Sequence, residues 1–205
     1  MSAVPKAKLT PAEYLAVERK AAFKSEYLNG EMFAMAGASY PHIVICDNLV
    51  AALGTRLKGT SCRTLSHDMR VKVSGTGLYT YPDVIILCGP PQLEDAELDT
   101  LLNPQVIIEV LSDSTERYDR GAKFRHYKQV ASLQEYVLVA QDEPACDRYV
   151  RGPDETWLVK FFTGLDSDLE FETVSARIPL TEIYAGVKLP EKPATGLLGA
   201  PAPVT

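Results

Sequence analysis

No stretch of the chain approaches the roughly 18 consecutive apolar residues that a membrane-spanning helix needs. The opening MSAVPKAKLT lacks the apolar middle of a secretion signal, so no membrane association and a cytoplasmic location are expected. Cysteine is scarce: Cys46, Cys62, Cys88 and Cys146 lie far apart among apolar neighbours, without a CxxC pair. That pattern offers neither a metal knuckle nor a disulfide framework, and all four are expected as reduced core residues. Positive charge is also in deficit, with 21 Lys and Arg against 27 Asp and Glu and a formal net charge of -6. A field of that sign repels polyanions and argues against non-specific coating of nucleic acid. It does not exclude a nuclease, because a local basic face and bound divalent cations reverse the sign where phosphate sits. No internal repeat is present.

What remains is ordinary globular material. At 205 residues, 46% hydrophobic and 23% charged, the chain has the length for about one domain with a real core. Thr10-Pro11-Ala12-Glu13 joins an N-cap, a proline at the first helical position and a glutamate three residues after the cap, predicting a helix to about Lys20. Asn29-Gly30 calls for a two-residue hairpin turn that places Glu26, Leu28, Glu31 and Phe33 on one face. Apolar spacing through Ile43, Leu49, Val50, Leu53 and Leu57 predicts a helix from His42 to about Lys58. Strands are expected at 62–65 and 69–73, then over 78–87 with an end or bend at Pro82-Asp83.

Residues 89–103 read as an acidic, proline-containing loop, and 105–111 (QVIIEVL) as a strand at the centre of a covered sheet. A helix over about 115–130 and a strand at 135–140 complete a strand-helix-strand unit. Segments near 146–151 and 156–163 flank a Gly152-Pro153-Asp154 hairpin. The Pro-, Ala- and Gly-rich tail, 190–205, has little to bury and is expected to be disordered.

Two carboxylates stand in the most apolar strands of the chain, Asp83 in YPDVIIL and Glu109 in VIIEVL. An ionised carboxylate buried without a partner costs several kcal/mol, so each must be paired, protonated or metal-bound. Taken singly, each is as compatible with a structural salt bridge. Taken together, two oxygen ligands at adjacent strand ends are what Mg²⁺ requires, since it prefers octahedral oxygen coordination and retains waters.

Pro82-Asp83, then Ile108-Glu109-Val110-Leu111-Ser112, then Asp119, Lys123 and Tyr127 resemble the PD-(D/E)XK nuclease superfamily. Within it the chain is most similar to the Uma-two family of restriction-endonuclease-like proteins, through SEYLNGEMFAMAGAS with His42, YPDVIIL, NPQVIIEVLSDST, DRGAKFRHY and LQEYVLV. The resemblance implies an α/β fold, a restriction-endonuclease-like mixed β-sheet flanked by helices, formed as one domain over 1–189. It implies Asp83 and Glu109 as ligands of Mg²⁺, with Mn²⁺ as an alternative, and a divalent-metal-dependent endonuclease acting on DNA.

One departure stands out: the superfamily lysine two positions after the acid is replaced by Leu111. Lys123 is the substitute offered by the following helix, as the third candidate catalytic residue. Asp119, Lys123 and Tyr127 recur at i, i+4 and i+8 and form one stripe; the same spacing also describes an ordinary surface ion pair.

The resemblance also draws in Glu26, Glu31 and His42. Glu31 is a candidate further ligand or simply a solvated acid beside a turn, and His42 a candidate phosphate or metal contact or a helix cap. Tyr127 completes the accessory set. Arg117 and Arg120 are the residues assigned to the DNA backbone. A homodimer is expected if both strands of a duplex are cut. Two rivals stand beside the nuclease: a binding or regulatory module of the same fold without catalysis, and a metal-dependent hydrolase of another substrate.

Overall fold

The computed structural model describes residues 8–66 and 68–190; the tail expected to be disordered lies, past Pro190, outside them. Helix α1 (Pro11–Glu18) starts where its capping box predicts, the Glu13 amide donating to Thr10 Oγ1 at 3.3 Å and the Thr10 amide to Glu13 Oε2 at 2.7 Å. Strands β1 (Ser25–Leu28) and β2 (Glu31–Ala34) form the hairpin. Asn29 and Gly30 take φ of 52° and 90°, the positive values that a tight hairpin turn of this kind needs. The register pairs Glu26 with Phe33 and Leu28 with Glu31, so these four share a face.

Helix α2 (Tyr40–Arg56), capped by Ser39, is followed by β3 (Cys62–Ser66), β4 (Arg70–Val73), β5 (Leu78–Thr80), β6 (Val84–Cys88), β7 (Thr100–Leu101) and β8 (Val106–Val110). Next comes a helical run in three parts: α3 (Glu116–Tyr118), a π-helical turn (Asp119–Lys123) and α4 (Phe124–Tyr127). Strands β9 (Glu135–Val139), β10 (Ala145–Arg151), β11 (Trp157–Thr163), β12 (Asp168–Phe171) and β13 (Ala176–Pro179) lead to α5 (Leu180–Ile183). Among the described residues, no helix is long and apolar enough to cross a membrane.

A six-stranded mixed sheet has the order β11-β10-β9-β8-β6-β3, and a five-stranded sheet the order β2-β1-β5-β4-β7. Strand β8 is central as expected, antiparallel to β6 and parallel to β9 across the helical crossover. Its alternation decides where Glu109 points. Val106, Ile108 and Val110 pack with Ile45, Leu49 and Leu53 of α2, whereas Ile107 and Leu111 pack with Tyr127, Leu133 and Tyr136. Glu109 has the parity of the second set and turns toward the crossover helix.

The sequence expectations need three corrections. The strand expected over 78–87 is two strands in different sheets, β5 and β6, and the chain changes sheets at Tyr81-Pro82-Asp83. Proline has no N–H to extend a ladder, and this sheet change is how the break is accommodated. Cys62 and Cys88 are not reduced thiols but a disulfide joining paired positions of β3 and β6, with Cα atoms 3.9 Å apart; Cys46 and Cys146 are free and buried as expected. The loop read over 89–103 contributes β7, and β12, β13 and α5 cover the α2 side of the core.

Candidate functional site

Asp83 sits where the chain enters β6, at the point where the β6–β8 ladder runs out. Its carboxylate takes over the missing partner: Oδ2 accepts the Val110 N–H at 2.8 Å. Oδ1 lies 3.0 Å from Nε2 of His42, in the first turn of α2. One turn further on, Cys46 is buried, and its sulfur, the imidazole and the Asp83 carboxylate all lie within 4.8 Å of one another. Burial, followed by the nearby charges of Asp83 and Glu109, pushes the Cys46 thiol above its ordinary value.

Glu109 is almost fully enclosed. Its Oε1 lies 2.9 Å from Nζ of Lys123 and accepts the Tyr127 hydroxyl proton at 2.7 Å. Lys123 also lies 3.3 Å from Asp119 Oδ1 and 3.6 Å from Glu26 Oε1. Asp119 and Lys123 bracket the π-helical turn, whose wider i→i+5 winding is common at functional positions. The stripe Asp119, Lys123, Tyr127 thus converges on Glu109, although the helix carrying it is not uniformly α. Burial raises the Glu109 carboxyl above the carboxylate range; Lys123 opposes that rise, and the charges of Asp83 and Asp119 add to it. Burial pulls the Lys123 ammonium down, but Glu109, Asp119 and Glu26 more than reverse this and hold it well above the ordinary lysine value.

Asp83, Glu109, Lys123, His42, Asp119 and Glu26 all line one open cavity of about 930 Å³. Among the described residues, its carboxylate, lysine and histidine lining is five acids, Glu26, Asp83, Glu109, Asp113 and Asp119, against Lys24, Lys123 and His42. Negative charge therefore exceeds what the two ammonium groups neutralise. The donors are mainly hard carboxylate oxygens, the set that suits a divalent cation such as Mg²⁺. His42 adds an imidazole beside Asp83, a donor that transition ions accept more readily.

Not every residue singled out from the sequence reaches this cavity. Glu31 shares the hairpin face of Glu26 but sits one pair nearer the turn, exposed and off the lining. Arg117 is exposed and off the lining. Arg120 is engaged by Glu116 at 2.7 Å and by Asp147. Two contributors carried no signal in the sequence: the Tyr118 hydroxyl donates to Glu26 Oε2 at 3.0 Å, and Thr80 Oγ1 donates to Glu26 Oε1. Parity does not separate Glu26 from Glu31, which share one hairpin face; the pairing of β1 with β5 through Tyr27 and Tyr79 does, and it is a tertiary contact.

The Uma2 (Uma-two) family model, described as "Putative restriction endonuclease", matches residues 11–180. The chain belongs to this family. Two Synechocystis sp. proteins of uncharacterised role are similar to it. The first, slr1290, is 36% identical over 183 residues, covering 89% of this chain and 95% of the relative. The second, sll1609, is 34% identical over 163 residues, covering 80% and 92%. A crystal structure from Anabaena variabilis, described as "a putative nuclease belonging to DUF820", superposes with a TM-score of 0.70 at 17% identity, covering 86% of this chain and 97% of the other. That likeness shows the fold, a restriction-endonuclease-like arrangement of mixed sheets flanked by few helices. Membership of the Uma2 family supports nuclease-like function, and families of this type generally use a divalent metal ion.

Proposed function

We propose that the protein is a divalent-metal-dependent endodeoxyribonuclease of the cytoplasm that hydrolyses DNA phosphodiester bonds. The observation that carries this reading is the meeting of Asp83, Glu109 and Lys123 in one open cavity at the ends of adjacent strands. Asp83 and Glu109 would hold Mg²⁺ or Mn²⁺. When bound, the ion supplies Lewis acidity to phosphoryl oxygens and to water.

The chain's own groups do the remaining work. The Val110 amide fixes the Asp83 carboxylate, and the Tyr127 hydroxyl orients that of Glu109, so neither has to be ordered at the moment of reaction. Lys123 has two tasks. Its ammonium opposes the rise that burial imposes on the Glu109 and Asp119 carboxyls, and it donates to a non-bridging phosphoryl oxygen as negative charge accumulates there. Its four-carbon stem lets a helix lysine serve where Leu111 occupies the strand position. Tyr118 and Thr80 hold Glu26 as a third carboxylate facing the ammonium. Cleavage of both strands of a duplex would use a two-fold pair of chains.

The test is incubation of wild type and Glu109→Ala with plasmid, linear duplex and single-stranded DNA, each with Mg²⁺ and with Mn²⁺. Metal-dependent cleavage that disappears in the variant is the expected result. Leu111 at the strand position favours one alternative, a binding module of the same fold without catalysis. An ion-induced rise in melting temperature with no cleavage of any DNA would select it.

A further inference from the structure

From the lining of the cleft we infer that it takes DNA whose bases are unpaired at the cleavage point, a single strand or a melted segment rather than a continuous duplex. This inference rests on the nuclease reading of the same cleft and names its substrate class. The lining also carries apolar side chains, two of them aromatic, that nothing in the fold covers: Phe23 is 80% exposed, Phe33 49% and Ile43 43%, and all three line the cavity. Phe33 is the direct cross-strand partner of Glu26 and shares its face, so the ring borders the acid that faces Lys123. The same lining includes the small residues Ala34, Ala36, Gly37 and Ala38, which fill little of the space beside the rings.

Two physical arguments make the occupant a base. An exposed aromatic ring beside a phosphate-handling site can gain stacking energy from a nucleobase only when the base has left the duplex stack, and that contact is indifferent to sequence. Duplex recognition works the other way, through rows of Lys and Arg on both backbones. Among the described residues the only Lys or Arg lining this cleft are Lys24 and Lys123, against five acids. Lys24 is itself ion-paired with Asp68 at 2.6 Å. Arg117 and Arg120 are off the lining, so a rigid duplex would meet little backbone neutralisation there. A strand that contributes bases as well as phosphates has these apolar side chains to bind.

The experiment compares three substrates of one sequence: a single strand, a continuous duplex, and a duplex with a central unpaired bubble. Wild type, Phe23→Ala, Phe33→Ala and Phe33→Trp are assayed on each, and binding of a fluorescent 12-nucleotide oligodeoxythymidylate gives a readout without turnover. The single strand and the bubble should be cut at least tenfold faster than the continuous duplex. Each alanine variant should weaken oligonucleotide binding and raise KM roughly tenfold, the size of loss expected from removing one stacked ring. Phe33→Trp should restore both, and the ion-induced shift in melting temperature should be unchanged throughout. A duplex cut as fast as the bubble, or alanine variants that fold and bind the oligonucleotide normally, would overturn the inference and leave the nuclease standing. Oligonucleotide binding lost in the alanine variants, with no DNA cleaved under any ion, would keep the base-stacking rings and remove the nuclease instead.

Discussion

Lys123 answers for three buried or half-buried acids, and its removal should be felt first as instability. Taking one partner from a buried pair leaves the other charge uncompensated, at a cost of about 3–5 kcal/mol. Lys123→Ala should lose that much in urea denaturation, and adding Glu109→Gln should recover part of it, because the neutral amide no longer needs a counter-charge. A divalent ion should then raise the melting temperature of Lys123→Ala more than that of the wild type. His42 separates ions by type. With its ring nitrogen 3.0 Å from Asp83, His42→Ala should weaken the thermal shift caused by Mn²⁺ more than that caused by Mg²⁺, which prefers oxygen donors.

At this scale the sequence was informative about Asp83 and Glu109, because a charged residue inside an apolar run is a conspicuous conflict. It was poor on Tyr118 and Thr80, whose roles come from neighbours distant in the chain. It drew in both Glu26 and Glu31 and took Glu31 as the candidate further ligand, whereas Glu26 lines the cavity, because a shared hairpin face leaves open how far along the hairpin the site lies.

Elements defined by local chemistry were legible: the capping box of α1, the Asn29-Gly30 turn and the doubly apolar run of β8. The change of sheet between β5 and β6 was not, since an interrupted strand has the same local pattern whether its halves share a sheet or not. Nor was the π-helical turn, which keeps Asp119 beside Lys123 as an α-turn would. The link between α1 and the segment before β7 can be tested by pH. Arg19 grips Asp99 at 2.9 Å, and that hydrogen bond, against some burial, holds the Asp99 carboxyl down to about 2. A depressed acid stabilises the fold above its unfolded value of 3.8 and loses that contribution as pH falls through 3.8 toward 2. Melting temperatures between pH 5 and 2 should therefore fall less steeply in Asp99→Asn than in the wild type.

For the molecule as a whole, the acidic balance of the sequence argues against general polyanion binding by surface charge, but it could not foretell a cleft with a surplus of acids beside apolar side chains. Oligonucleotide affinity should accordingly depend weakly on salt, with a log–log slope shallower than about −2, because few lysines are available to displace counterions. The Cys62–Cys88 bond ties β3, an edge strand, to β6 across a separation of 26 residues. Cross-links closing loops of that length stabilise by roughly 3 kcal/mol. Reductant should lower stability by about that amount, and a thiol titration of the denatured, unreduced protein should find only Cys46 and Cys146 reactive. The pairing was illegible beforehand because it depends on strand register alone.

The amide of Val110 is given to the side chain of Asp83 and not to a neighbouring strand. Its proton is therefore a clock for the candidate site. Each time the carboxylate swings away, that one hydrogen becomes exchangeable with deuterated solvent, so its rate, measured residue by residue, counts the openings of the cleft before any substrate arrives.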